Sequence, residues 1–103
     1  MYQMKIVAVT ACPTGIAHTY MAAEQLEKTA KKLGHSIKVE TQGAMGIENE
    51  LMQSEIDAAE LVIFAADIAI EKAERFDGSR KIHVPVQAAL KDPTAIFQRA
   101  TPA

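Results

Sequence analysis

The hydrophobic pattern breaks the chain into short apolar runs separated by amphipathic stretches. Met4-Lys5-Ile6-Val7-Ala8-Val9-Thr10 is largely apolar and rich in β-branched residues, and it is short enough to predict a buried strand. Ser36–Glu40 predicts a second strand and Lys81–Val84 a fourth. The third, Leu61–Ala66, is apolar throughout, as expected of a strand covered on both faces. Between the first two strands, Ala22, Leu26, Ala30 and Leu33 fall at i, i+4, i+8 and i+11, with Glu24, Lys28 and Lys32 off that stripe. This spacing predicts a helix over Thr19–Leu33, closed by Gly34 in a left-handed conformation. Ser54 followed by Asp57 predicts a short capped helix, Ser54–Ala59. Ile68–Phe76 fits either a loop or a turn or two of helix, and Asp77-Gly78 marks a turn. Asp92-Pro93 reads as the cap and first residue of a terminal helix ending near Arg99. Met21, Leu26 and Phe64 are assigned to the core.

Strands alternating with helices imply right-handed crossovers. The expected fold class is α/β, a small three-layer sandwich with a mostly parallel four-stranded sheet and helices on both faces. In such sheets ligands bind beyond the carboxyl ends of the strands. Three segments lie there: Ala11–His18 after the first strand, the glycine-bearing loop Gln42–Gly46 after the second, and Asp67 after the third. Gly43 and Gly46 are read as turn residues first and ligand contacts second.

Composition narrows the function. The 103 residues fit a single domain, residues 1–103, with one core. Hydrophobic residues make up 49% and charged residues 23%, the balance of a globular domain. Acids and bases are interspersed around a net charge of −2, which gives no basic surface for nucleic acid. No apolar run reaches membrane-spanning length, so no direct membrane insertion is expected. Met1–Lys5 does not read as the start of a signal peptide. The acidic excess over Glu48–Glu60 reads as a solvated face, and His35 and His83 as surface residues near strand ends. Histidines and acids show no ligand spacing, so no metal is expected. No cofactor is expected either.

Cys12 is the one cysteine, which excludes an internal disulfide and fits the cytoplasm. It stands in Ala11-Cys12-Pro13-Thr14-Gly15-Ile16-Ala17-His18, between a strand and a helix start. There the helix dipole and unpaired N–H groups favour a thiolate, and the same groups can cradle phosphate oxygens. Pro13 lacks an N–H, so the donors would come from Thr14, Gly15, Ile16, Ala17 and His18. Gly15 permits close backbone approach to an anion. Thr14 and Thr19 add hydroxyl donors. These parts suit a cysteine carrying a phosphoryl group as a thiophosphate ester.

The segment Ala11–Glu24 closely resembles the phosphorylation site of the fructose-type enzyme IIB component of the bacterial phosphoenolpyruvate-dependent sugar phosphotransferase system. Val39-Glu40-Thr41-Gln42-Gly43, Ala59–Asp67 and Arg75-Phe76 extend the resemblance in order over most of the chain. Glu60 departs mildly from an expected aspartate, and Pro93 onward matches no motif of the family. The resemblance implies that a phosphohistidine IIA protein or domain donates to Cys12. Phospho-Cys12 would then phosphorylate a fructose-like sugar held by a membrane IIC permease, with this protein at the inner face of the membrane.

Cys12, five intervening residues and His18-Thr19 also imitate the Cys-x5-Arg-Ser/Thr loop of low-molecular-weight tyrosine phosphatases. Those enzymes use the arginine for a two-pronged grip on the phosphoryl group, which histidine cannot reproduce. Hydrolysis also requires an acid/base group, for which Asp67 is the one nominee. A redox role lacks a resolving cysteine, and a non-catalytic binding module is the remaining alternative.

Overall fold

The run Lys5–Ala11 forms the central strand, β1, of a sheet whose neighbours cover it on every side. In this computed structural model, which describes residues 3–12 and 16–100, β1 is followed by α1 (Ile16–Lys32), β2 (Ser36–Gly43) and β3 (Gly46–Glu48). Then come α2 (Gln53–Ala58), β4 (Leu61–Ala66), a 3₁₀ turn (Ala73–Phe76), β5 (Lys81–Val84), α3 (Val86–Lys91) and α4 (Pro93–Ala100). The sheet order is β3-β2-β1-β4-β5, parallel except for β3, which runs antiparallel to β2.

Period-two alternation distributes β1 and β4 between two cores. Ile6 and Ala8, with Leu61, Ile63 and Ala65, pack against Ala22, Leu26 and Ala30 of α1 and against Val86, Ala89, Ile96 and Phe97 of the last two helices. Val7 and Val9, with Val62 and Phe64, face Leu51, Ile56 and Phe76 on the other side. This is the expected three-layer α/β arrangement, and β4 is buried along its whole length as its composition requires.

Several details depart from the pattern. The sheet has five strands and not four, because Gln42–Gly46 is a hairpin and not a loop: β2 runs on to Gly43 and the chain returns at Gly46. Gly46 takes φ 87°, a conformation a side chain rarely adopts, which identifies it as a turn residue. Helix α1 starts at Ile16, ahead of the predicted Thr19, because the buried stripe is carried into its first turn by Thr19, a polar residue. At its other end Gly34, at φ 84°, donates to the Lys31 carbonyl at 3.1 Å, and His35 N–H reaches Ala30 at 2.8 Å. This is the expected glycine closure. The second helix is capped from Met52, not Ser54: the Glu55 carboxylate accepts the Met52 N–H at 2.7 Å. Asp92 caps α4 as expected, its Oδ1 accepting the Ala95 N–H at 3.3 Å. Met21 is 52% exposed and lies outside the core, whereas Leu26 and Phe64 are inside it. His35 is not a plain surface residue, since its Nδ1 accepts the Met4 N–H and its ring stacks on Phe97.

Candidate functional site

The chain leaves β1 for β2 on one side and later places β4 on the other, so the carboxyl ends of β1 and β4 form a topological switch point. Cys12 follows β1 there, four residues before α1 begins. It is 7% exposed and lies where two depressions meet. The larger, about 360 Å³, is lined by Cys12, Gln42, Gly43, Ala44, Ile68 and Glu71. The smaller, about 240 Å³, is lined by Cys12, His18, Asp67, Val86 and Gln87. The three segments singled out from the sequence, those around Cys12, Gln42–Gly46 and Asp67, therefore do converge.

Pro13, Thr14 and Gly15 lie outside the described residues, as does the side chain of Ile16. Ala17 and His18 are exposed in the first turn of α1. His18 thus belongs to the helix and not to a loop ahead of it, yet it still faces the smaller depression with Cys12. Thr19 is buried, and its carbonyl accepts the Thr10 hydroxyl at 3.1 Å. Its own hydroxyl finds no partner among the described residues and lies beneath Gly43, where a Cβ would stand 3.6 Å away. Asp67 is committed structurally: its Oδ1 accepts the Val86 N–H at 3.2 Å at the start of α3. His83 is exposed, its Nε2 lying 3.3 Å from the Ala66 carbonyl oxygen.

A buried ion pair beside the larger depression could not be read from the sequence. Glu40, fully buried in β2, is gripped by Arg75: Nη1 meets Oε1 at 2.9 Å and Nη2 meets Oε2 at 3.0 Å. The Leu51 N–H (2.9 Å) and Gln42 Nε2 (2.7 Å) also donate to that carboxylate. Burial works against its charge, but these donors prevail and hold the Glu40 carboxyl below its ordinary value. Arg75 also donates to the carbonyls of Lys72 (2.9 Å), Leu51 (3.3 Å) and Glu71 (3.3 Å), so all five of its N–H groups are used. The hydrogen bond to Glu40 raises the Arg75 pKa further. The only trace of this pairing in the sequence is that Glu40 and Arg75 both fall within motifs of the enzyme IIB resemblance.

No helix among the described residues is long and apolar enough to cross a membrane.

Residues 7–99 match the family described as "PTS system, Lactose/Cellobiose specific IIB subunit". The 2-O-alpha-mannosyl-D-glycerate-specific EIIABC component of Escherichia coli K12 is 52% identical over 92% of the chain, which spans only 14% of that relative's length. The fructose-like EIIB component 2 of the same strain is 50% identical over 92% of this chain and 90% of its own. Among solved structures, a domain of a fructose-specific IIABC component from Borrelia burgdorferi superposes with a TM-score of 0.90 at 47% identity, covering 99% of both chains. With its parallel sheet, its Cys12 site and these likenesses together, the chain belongs to the enzyme IIB family of the sugar phosphotransferase system, in the fructose-type branch, and is a phosphotransferase component.

Proposed function

We propose that Cys12 accepts a phosphoryl group from a phosphohistidine on a IIA partner and passes it to a sugar, fructose or a fructose-like compound, held by a membrane IIC partner. The observation that carries this reading is the position of Cys12. It is the chain's one thiol, and it stands at the switch point, just ahead of the α1 N-terminus, where two depressions meet. In the first step the thiolate attacks phosphorus, the S–P bond forms, and the P–N bond breaks with its electron pair leaving on the imidazole. In the second, a sugar hydroxyl attacks phosphorus and gives up its proton to water, the S–P bond breaks, and the thiolate returns. Backbone N–H groups of Thr14, Gly15, Ile16, Ala17 and His18 would hold the phosphoryl oxygens, with Pro13 contributing none. The buried Thr19 hydroxyl, with no partner among the described residues, offers a donor beneath Gly43, which lines the larger depression with Cys12.

Residues 1–103 act in this reading as one IIB domain working on the cytoplasmic side of the membrane. The names of the relatives support the partners: a segment like this chain occurs within EIIABC components. Those names differ in the sugar, which fits selectivity residing in IIC. The test is a reconstituted relay of labelled phospho-IIA, this protein, and membranes bearing the IIC partner. Label should pass through the protein to the sugar. Sugar phosphate formed equally well in its absence would overturn the reading.

His18 separates this carrier from a thiol phosphatase. Arginine there would stabilise charge on the equatorial phosphoryl oxygens during transfer to water as readily as to sugar. His18→Arg should therefore shorten the lifetime of phospho-Cys12 in water about tenfold, equivalent to ~1.4 kcal/mol of barrier. Asp67 lines the same depression with one of its two carboxylate oxygens engaged at α3, which keeps the effect to that size. Decay of the phosphorylated protein, without sugar or partner, is the measurement. An unchanged or longer lifetime in a folded variant would show that His18 does not set carrier against hydrolase.

A further inference from the structure

The segment after β4 takes an unusual route. β4 and β2 flank β1 on opposite sides, yet the backbone of Glu71, five residues beyond the end of β4, is bonded to a side chain of β2. Residues 67–71 therefore cross the carboxyl end of β1, where Cys12 stands, and Ile68, Ala69 and Glu71 form one wall of the larger depression. The side chain that catches this strap is Gln42. Its Oε1 accepts the Glu71 N–H at 2.8 Å, and its Nε2 donates to the Glu71 carbonyl at 3.0 Å. The second N–H of Nε2 goes to Glu40 Oε2, which fixes which way the amide faces: reversed, its oxygen would meet a carboxylate. Just beyond, Lys72 takes the left-handed conformation at φ 58°, which is strained for a residue with a side chain. Arg75 Nε holds the Lys72 carbonyl at 2.9 Å, so the turn is held in place from inside the protein.

We propose that Gln42 is a positioning residue of the transfer site, its amide suspending the Asp67–Glu71 strap across Cys12 and so fixing the direction from which a phosphoryl group reaches the thiol. This rests on the reading of Cys12 as the phosphoryl acceptor. Gln42 is 3% exposed and spends its amide within the protein, so it is not suited to gripping a partner. Its influence falls on geometry. In-line transfer needs the reacting atoms within about 3–3.5 Å and aligned, and a misplacement on the order of 1 Å can cost a hundredfold. A released strap would leave docking intact and slow the chemical step. It would also uncover the thiol.

Gln42→Met retains the shape of the side chain and removes its three hydrogen bonds. Phosphoryl acceptance is measured against donor concentration, using phospho-IIA, and Cys12 alkylation is measured with the neutral reagent iodoacetamide. The maximal rate of acceptance should fall about tenfold with the half-saturating donor concentration within twofold, and alkylation should become several-fold faster. Amide exchange should quicken at Glu71 and stay slow in β1. A purely structural role would leave the maximal rate of the folded protein unchanged. Should Gln42→Met fail to fold, Gln42→Asn keeps the amide but shortens its reach, and the same changes are expected. An unaltered maximal rate alongside faster exchange at Glu71 would overturn the proposal, as would unaltered alkylation. A parent protein that takes no phosphoryl group on Cys12 would instead overturn the reading beneath it, while alkylation would still report whether Gln42 holds the strap over the thiol.

Discussion

Cys12→Ser is expected to lower phosphoryl transfer to sugar by at least about a thousandfold, equivalent to ~4 kcal/mol of barrier. A thiol at neutral pH keeps a few per cent or more of its population as a strong nucleophile, whereas a serine hydroxyl needs an adjacent base to attack at all. The one nominee, Asp67, has Oδ1 engaged by the Val86 N–H at the start of α3. Folding should survive, because serine differs from cysteine by a single side-chain atom and occupies nearly the same space. Labelled sugar phosphate from the reconstituted relay is the measurement, with circular dichroism reporting the fold. A variant that retains even a tenth of the parent rate would contradict the assignment.

The second large effect is on stability. Arg75→Met removes both prongs from a fully buried carboxylate, and breaking such a pair typically costs about 3–5 kcal/mol. For a domain of this size that corresponds to a fall in Tm on the order of 15 °C. The pH dependence distinguishes this from lost packing. In the parent, the folded-state pKa of Glu40 is depressed, so its contribution is present above the ordinary glutamate range and is lost as pH falls through the folded value. Stability should be level above about pH 5 and decline below about pH 4. In Arg75→Met the stranded carboxylate is favoured in its protonated form, so the folded state binds the proton more tightly than the unfolded chain. That variant should gain stability as pH falls from 7 to 5, a range over which the parent stays level. Urea unfolding at the two pH values reads it directly, and a variant with the parent's pH profile would show that the pair contributes no electrostatic stabilisation.

The buried strands were legible because burial on two faces leaves a plain mark: β1 and β4 are apolar at nearly every position. The carboxyl ends of those strands then located Cys12, and the Cys12 segment carried the family. What was not legible has definite physical origins. β3 is three residues long and only Ile47 is partly buried, too little for a periodic signal. Six-residue α3 fully buries just Val86 and Ala89, with Ala88 and Leu90 partly covered, and it follows Pro85, so no stripe is visible. Thr19 occupies a buried stripe position with a polar side chain, which hid the first turn of α1. Met21 is hydrophobic, which points inward, but it lies off the stripe of Ala22, Leu26 and Ala30 and is exposed. Glu40 and Arg75 are 35 positions apart, and no local pattern pairs residues so distant. The strap over Cys12 was hidden for the same reason, since Gln42 and Glu71 meet only once the sheet order is known.

The central claim is that one atom, Cys12 Sγ, carries the phosphoryl group. Its most direct test is to phosphorylate the protein with phospho-IIA, digest it at a pH that preserves thiophosphate esters, and locate the added group by peptide mass spectrometry. The account predicts a single modified peptide containing Cys12, with His18, His35 and His83 unmodified and no modification in Cys12→Ser. A phosphoryl group found on one of those histidines, or acceptance undiminished in Cys12→Ser, would contradict it.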